Sequence, residues 1–240
     1  MERVIEREQR EKLERRSVLP LDTNSAIAIK RDVHEFVVNT SAERFAEAFR
    51  RVVTDPENVF GLIRVKRPSD RLGKEFEVGE RFQGCFSVEL AISGALGADG
   101  GDAPGAHLAP KSGLFASKLF QRSVAWFEDQ FMSNYAEIES IEMEPDLDAG
   151  ECYRLRYRYL DGTPIAGSST FTIEPLAANR CRFTQVFEFQ EQNGVALATF
   201  QRFGLKFHDQ VVYQQVAKAA ALCGVAVESG TIPAAYGEIL

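Results

Sequence analysis

Apolar residues recur every three or four positions through the last long segment of the chain, 195–223. The residues on its apolar side are Leu197, Phe200, Phe203, Gly204, Phe207, Val211 and Leu222. Val212, Val216 and Ala219 extend this side beyond the stripe of roughly 100° that is typical of a surface helix. The segment lacks proline, and Gly224 follows it, where a left-handed residue commonly ends a helix. We predict a helix over Val195–Cys223 that is enclosed along much of its circumference.

A second pattern, the alternation of apolar and polar residues, predicts seven strands. It is clearest in Cys152–Tyr159, where Tyr153, Tyr157 and Tyr159 alternate with arginines that are expected on a solvated outer face. Pro175 is expected to end the strand that follows. The predicted strands are Val33–Val38, Phe60–Lys66, Arg81–Ile92, Tyr135–Met143, Cys152–Tyr159, Ile165–Glu174 and Arg182–Phe189.

A shorter amphipathic helix is predicted soon after the first strand. Ser41 is placed to cap its N-terminus, because a serine oxygen can accept a hydrogen bond from a backbone N–H of the first turn. Phe45, Phe49 and Val52 then share one side at helical spacing. The helix is expected to end near Asp55–Pro56, because the residue before a proline disfavours the helical conformation.

Charge and glycine content divide the chain around one central domain. Residues 1–31 interleave acidic and basic side chains and predict a charged, frayed arm followed by a linker. The domain itself is predicted to span 32–225. Within it, 93–133 has the character of an insertion, in which a loop rich in Gly, Ala and Pro leads to an aromatic helix over 113–133. Residues 226–240 are predicted to form a C-terminal tail.

Composition excludes several classes of function. A net charge of -7 argues against a broad nucleic-acid surface, which needs a basic face. No run approaches the roughly 20 apolar residues of a membrane span, and the charged N-terminus lacks the apolar core of a secretory signal. The four cysteines are scattered without a CxxC pair, which favours free thiols in a reducing compartment. We therefore expect a cytoplasmic location.

Three stretches resemble a known superfamily. HEFVVNTSAERFAEAFRRV at His34–Val52 resembles the first strand and helix of the START-related helix-grip proteins, the SRPBCC-like group that includes polyketide cyclases and pollen allergens. FEVGERFQGCF at Phe76–Phe86 and the final helix after FTQVFEFQE extend the resemblance. It implies an α+β helix-grip fold, in which a curved, seven-stranded antiparallel sheet wraps a long C-terminal helix. It also implies a central cavity for lipids, sterols, quinones or polyketides, with cyclase activity in some members.

The candidate ligand-binding residues are those that the helical spacing and the strand alternation place on the side facing this cavity. Gln185 shares the inward face of apolar neighbours, tyrosine hydroxyls can meet a ligand, and His208 flanks the apolar arc of the final helix. The alternative is that Gln185 and His208 are core polar groups bonded to the backbone or to water. The full set is Tyr153, Tyr157, Phe171, Phe183, Gln185, Phe187, Phe200, Gly204, Phe207, His208 and Val211.

The sequence predicts neither a metal site nor a cofactor. His34, His107 and His208 are the three histidines, and no HExxH, HxH or carboxylate cluster accompanies them along the chain. No GxSxG motif occurs, and the glycines of 97–105 lack the GK[ST] of a phosphate-binding loop. No catalytic residue is assigned.

Three functions remain open. The first is the binding, transport or sequestration of a hydrophobic small molecule such as a lipid or polyketide. The second is a cyclase or dehydratase acting on a polyketide-like or aromatic substrate with Tyr and His groups as acids and bases. The third is a scaffold that recruits partners through its charged arm and insertion. The aromatic segment 113–133 suggests two further roles, transient contact with a membrane or a lid over the cavity mouth. The oligomeric state is not predicted.

Overall fold

The sheet and two helices account for most of the described chain. A computed structural model describes residues 10–11, 13–55, 59–60, 63–86, 133–146, 150–192 and 205–230. The helices are α1, Ala42–Thr54, and α2, Leu205–Leu222. A 3-10 turn lies at Ser69–Arg71. The strands are β1, Ile29–Val38; β2, Val59–Phe60; β3, Ile63–Lys66; β4, Arg81–Phe86; β5, Ser133–Asp146; β6, Gly150–Tyr159; β7, Ile165–Ala177; β8, Arg180–Glu191; and β9, Val227–Gly230.

All nine of these described strands form one sheet in the order β2-β3-β4-β5-β6-β7-β8-β1-β9, and each neighbouring pair is antiparallel. The prediction of seven strands is corrected in two places. The predicted strand Phe60–Lys66 is divided between β2 and β3, which pair with each other, and β9 lies in the predicted tail, where it pairs with β1. β7 also continues past Pro175, with an irregularity in its register at that point.

The start and end of α1 follow its sequence signals. Ser41 has extended backbone angles, and its side chain accepts a hydrogen bond from the Arg44 N–H at 3.3 Å. The helix stops at Thr54, two residues before the proline. Its apolar side is buried against the sheet, with Phe45 and Phe49 wholly inaccessible. The predicted helix and cap are confirmed.

The C-terminus of α2 closes as its sequence predicts. Gly224 has φ +74° and donates its N–H to the Ala221 carbonyl, while Val225 donates to Ala220. These two bonds form a Schellman motif, which satisfies carbonyls that the helix end leaves unpaired. Residues 195–204 of the predicted helix, including Phe200 and Gly204, lie outside the described residues. Leu222 was predicted to face the sheet but is 55% exposed.

One core joins the sheet to both helices, and the sheet surface that carries it is called here the inner face. Phe183 of β8 is fully buried among the rings of Phe36, Phe45, Phe49 and Phe171. The buried residues of α2 extend this cluster: Val212, Val216, Ala219 and Ala220. Buried rings of this size contribute about 1.5–3 kcal/mol each relative to exposure, so this cluster anchors α1 and α2 to the sheet.

The outer face carries the arginines of β6, as predicted. A β-bulge between Ile138 and Ser140 changes which residues of β5 point outward, so that glutamates meet arginines on both sides of it. The pairs of Glu139 and Glu142 are partly exposed and contribute little on their own, whereas Glu137 is buried and also pairs with Arg81. The pairs are Glu137–Arg158 at 2.7 Å, Glu139–Arg156 at 2.7 Å and Glu142–Arg154 at 3.2 Å.

Residues 13–18 dock on the sheet, which corrects the prediction of a frayed arm for this part of the segment. The Leu13 side chain is buried with Tyr135 and Leu160, and the Arg16 guanidinium lies 3.5 Å above the Tyr135 ring. Arg81 of β4 donates hydrogen bonds to three carbonyls of this segment. These contacts combine aromatic packing with backbone hydrogen bonding.

The predicted insertion falls mostly outside the described residues. Residues 87–132 are among those not described, so the helix, lid and membrane contact suggested for 113–133 stay predictions. Among the helices that are described, none combines the length and apolar character needed to cross a membrane.

Candidate functional site

A polar cluster lies on the inner face where β1 meets the first turns of α2. Asp32 and His34 are two residues apart on β1 and therefore point to the same side of the strand. His208 and Asp209 are neighbours on α2. His34 Nε2 lies 2.9 Å from Asp209 Oδ1 and 3.7 Å from Asp32 Oδ2. His208 Nδ1 lies 3.9 Å from the same Asp32 oxygen, so polar side chains of β1 and α2 converge here.

Burial in this cluster is graded. The His34 side chain is 3% exposed and the His208 side chain 13%, whereas the two carboxylates are each 35% exposed. The imidazole rings lie 5.3 Å apart, edge to face. The cluster therefore has an inner part made of rings and a rim made of acids.

A hydrogen-bonded series runs inward from His208. Gln185 of β8 is 1% exposed, and its side-chain nitrogen donates to Ser169 Oγ at 2.8 Å. The same nitrogen lies 3.2 Å from His208 Nε2, which accepts from it when the imidazole proton is on Nδ1. Ser169 is in turn hydrogen-bonded to the Tyr157 hydroxyl, and Tyr157 to Tyr159. Three strands, β6, β7 and β8, and the helix α2 are thus joined through polar side chains.

Burial sets the charge state of His208. Desolvation, followed by the nearby His34, lowers the pKa of His208 to about 3, although the charge of Asp209 opposes this. The Phe187 ring packs against it with centroids 4.5 Å apart. At neutral pH His208 is an uncharged imidazole with one nitrogen available as an acceptor or ligand.

Tyr157 is a half-buried member of this series. Burial is the largest influence on its pKa and raises it, although hydrogen bonds to Ser169 and Tyr159 lower it. Its side chain nevertheless keeps accessible surface and is half-buried.

A separate pocket of about 300 Å³, partly open to solvent, lies between the end of α1 and strands β5 and β6. Its lining residues are Arg50, Thr54, Glu75, Phe76, Ile141, Met143 and Tyr153. Burial raises the pKa of Tyr153 to about 12, against the opposing effect of the Arg50 charge, so its hydroxyl stays protonated. Arg50 also pairs with Glu75 at 3.1 Å at the side of the pocket.

Aromatic rings connect this pocket to the polar series. The Phe76 ring lies 5.6 Å from that of Phe82, and Phe82 lies 5.5 Å from Tyr157. All three side chains are partly buried. Because Tyr157 is hydrogen-bonded to Ser169, and Ser169 to Gln185, one line of neighbours runs from the pocket to the cluster at β1 and α2.

Four side chains of the cluster could supply ligands to a metal ion. One donor atom from each of Asp32, His34, His208 and Asp209 lies within 4.8 Å of the others. No other such group occurs among the described residues. The sequence prediction of no metal site overlooked this group, because its members come from opposite ends of the chain.

Comparisons with known proteins add structural similarity but no close relative. No protein-family model matches the sequence, and no curated protein does. Norcoclaurine synthase from Thalictrum flavum, as a point mutant with a transition-state analogue, is similar over 84% of this chain and 99% of that one, at 10% identity and a TM-score of 0.49. The similarity to the ZhuI aromatase/cyclase from Streptomyces sp. R1128 covers 82% of this chain and 94% of that one, at 12% identity and a TM-score of 0.45. The similarity to a hypothetical protein from Helicobacter pylori covers 85% of this chain and 96% of that one, at 14% identity and a TM-score of 0.41.

Similarity at this level carries no argument about ligand or reaction, so the assignment of the fold depends on the topology itself. One large antiparallel sheet has two helices on the same face, one after the first strand and one after the eighth. The chain has a helix-grip fold. The resemblance predicted from the sequence is confirmed at the level of fold.

The helix-grip arrangement brings some of the predicted site residues together and separates others. Gln185, His208, Phe187 and Tyr157 are neighbours in the polar series. Tyr153 lines the separate pocket. Phe171 and Phe183 pack in the core against α1, and Val211 is partly buried beside it. Phe200, Gly204 and the side chain of Phe207 are outside the described part.

Sequence reasoning missed Asp32, His34, Asp209 and Ser169. The available signals were an Asp-x-His spacing, which puts both side chains on one face of a strand, and the His-Asp pair in the final helix. The predicted first strand began at Val33 and so left Asp32 out. Pairing with β8 extends β1 back to Ile29, and this partner is distant in sequence.

Proposed function

We propose that the protein binds a small, largely apolar molecule with a polar group in the space between the sheet and its helices. The observation that supports this most strongly is the pocket of about 300 Å³ beside Tyr153. That volume is at the lower end of the range for small-molecule sites, and an apolar wall with a few polar groups is typical of them.

The residues around the pocket support this choice of ligand class. Phe76, Tyr153 and Ile141 offer apolar and aromatic surface to a ring or short chain. Arg50 and the protonated Tyr153 hydroxyl offer hydrogen-bond donors to an oxygen of the ligand.

A pocket-filling variant tests this proposal. Met143 is half exposed at the pocket, so Met143→Trp should occupy the space without disturbing the core. The affinity for the fluorescent apolar probe 1-anilinonaphthalene-8-sulfonate should fall about tenfold, or 1.4 kcal/mol. Leu176→Trp is the matched control, because Leu176 is an exposed apolar residue that is not in the pocket wall.

Equal probe affinity in Met143→Trp, Leu176→Trp and the parent protein would reject the pocket as the site. Circular dichroism of each variant establishes that the fold is kept. Native mass spectrometry of the protein purified from its own host then identifies the ligand class by mass.

Catalysis of the cyclase or dehydratase type is the second candidate, favoured by the hydrogen-bonded series from Tyr157 to His208. The protonation behaviour of these groups favours binding instead. A general base works best with a pKa near the working pH, whereas that of His208 is lowered to about 3 and that of Tyr157 is raised. The series is better suited to orienting a polar group than to moving a proton.

A further inference from the structure

The cluster of Asp32, His34, His208 and Asp209 has the donor set and spacing of a metal site. Two ligands about 2.1 Å from one ion lie roughly 3 Å apart at a right angle and about 4 Å apart on opposite sides. The contacts of 2.9, 3.7 and 3.9 Å among the four side chains fall in this range. The donor atoms all lie within 4.8 Å of one another, so they need to move by less than about 1 Å to coordinate one ion.

We propose that Asp32, His34, His208 and Asp209 bind a divalent transition-metal ion between β1 and α2. Two imidazoles with carboxylates suit zinc and iron, whereas magnesium and calcium prefer sites made of oxygen alone. This proposal is independent of the apolar ligand, because it uses none of the residues that line the pocket beside Tyr153.

Unsatisfied buried atoms provide a second observation. His208 Nδ1, the nitrogen that faces Asp32, is buried and has no hydrogen-bond partner, and neither does Oε1 of the buried Gln185. An imidazole held only by hydrogen bonds would leave the buried Nδ1 without a partner, at an energetic cost. A metal bond at Nδ1 removes that cost.

Gln185 is placed to orient the ligand. A metal on Nδ1 puts the His208 proton on Nε2, which lies 3.2 Å from the Gln185 amide. When the amide turns to present Oε1 there, it accepts this proton, as carbonyl groups behind metal-bound histidines commonly do. Gln185 is therefore a positioning residue, held in turn by Ser169.

Access and charge also fit a metal ion. The carboxylates form the half-exposed rim and the imidazoles the inner part, so an ion can enter from solvent past Asp32 and Asp209. Among the described residues, the ion pairs of these two acids are to His34 and His208, with no lysine or arginine among their partners. Their two negative charges are available to balance a divalent cation.

Titration of the chelator-treated full chain with Zn²⁺ tests the site. Calorimetry should show saturable binding of one ion with a Kd at or below about 1 µM. Co²⁺ should bind in competition with Zn²⁺ and give visible absorption bands that differ from those of the aqueous ion. No saturable Zn²⁺ binding, or no spectral change with Co²⁺, would overturn the proposal.

Variants at the rim separate this site from adventitious binding. Asp32→Asn and Asp209→Asn should weaken Zn²⁺ binding more than about tenfold, and Gln185→Leu by about 10–100-fold. Asp70→Asn, at an exposed acid outside the cluster, should leave the affinity unchanged. Equal affinity in all four variants would overturn the proposal, and melting curves without metal check that each variant is folded.

Discussion

His34 Nε2 lies 2.9 Å from Asp209 Oδ1, in a contact that joins β1 to α2 across 175 residues of sequence. His34 is buried, whereas Asp209 is partly exposed. The Asp209 carboxylate therefore gives the buried imidazole nitrogen a hydrogen-bond partner. The long final helix is thus attached to the sheet by polar contacts at its beginning and by apolar contacts further along.

Removal of the Asp209 carboxylate should destabilise the fold. In the absence of metal, Asp209→Ala leaves the buried His34 Nε2 without its closest partner, and the free energy of unfolding should fall by about 1–3 kcal/mol. Urea denaturation followed by circular dichroism measures the change. The control Asp70→Ala should stay within about 0.5 kcal/mol of the parent. A loss for Asp209→Ala no larger than that of the control would contradict the contact.

The Ser169–Gln185 hydrogen bond should appear as an energetic coupling. Gln185→Leu alone removes the bond to Ser169 and leaves His208 Nε2 without its partner in a buried site, and should cost about 1–3 kcal/mol. When Ser169→Ala has already removed the Ser169–Gln185 bond, that bond cannot be lost twice, so the double variant should lose less than the sum of the two single losses. A double-mutant cycle in urea should give a coupling above about 0.5 kcal/mol. Strict additivity would show that the bond contributes nothing.

Stability should depend on the charge of Glu137 at acidic pH. Burial raises the pKa of this carboxyl, but hydrogen bonds and charges from Arg158 and Arg81 outweigh it, so its net pKa is lowered. A lowered folded-state pKa contributes stability above the unfolded value of about 4.3, and that contribution is lost as the pH falls through the folded value. Below pH 5, the unfolding free energy of Glu137→Gln should fall less steeply than that of the parent.

This comparison is made by urea denaturation at closely spaced pH values between neutrality and the acid limit. At neutral pH, Glu137→Gln should be less stable than the parent by about 1–3 kcal/mol, because two arginines lose a charged acceptor. Glu228→Gln is the control, since its ion pair with Arg180 is exposed. Parallel curves for parent and Glu137→Gln would contradict the assignment.

Gly167 should tolerate no side chain. It has φ +129°, and a Cβ at this position would lie 2.0 Å from the Glu188 carbonyl oxygen of the paired strand. Gly167→Ala should therefore cost more than about 3 kcal/mol or prevent folding. Gly224→Ala is the matched control: its φ is +74° with nothing within 4 Å of the added carbon, so the strain alone should cost about 1–2 kcal/mol. Similar melting temperatures for the two variants would contradict this.

Local signals predicted the parts of the fold that local interactions stabilise. The Ser41 cap, the Phe45–Phe49 side of α1 and the closing Gly224 each act within one or two turns, and all three are observed. Alternation likewise located β6 and β8, because a strand with one buried face carries its own two-residue period. The additional strand β9 carries no such period, and its pairing with β1 decides that it is a strand.

The candidate site was predicted in part for the same reason. An inward Gln185 and a flanking His208 could be read from periodicity, and they prove to be neighbours. Their environment could not be read from periodicity, because Ser169 and His34 lie on other strands. The β5 bulge is a further case: it changes the side on which residues after Ile138 point, and the regular alternation expected there gives no sign of it.

The sequence by itself determined both ends of α1, the C-terminal end of α2, the two-faced strands and the helix-grip resemblance, because these depend on periods and caps spanning a few residues. The tertiary structure alone decided that Asp32, His34, His208 and Asp209 meet, and that Tyr153 lies beside a separate pocket. The reason is that β1 and α2 are brought together by burial of the apolar residues between them, a non-directional force that leaves no local spacing in the chain for the polar groups it assembles.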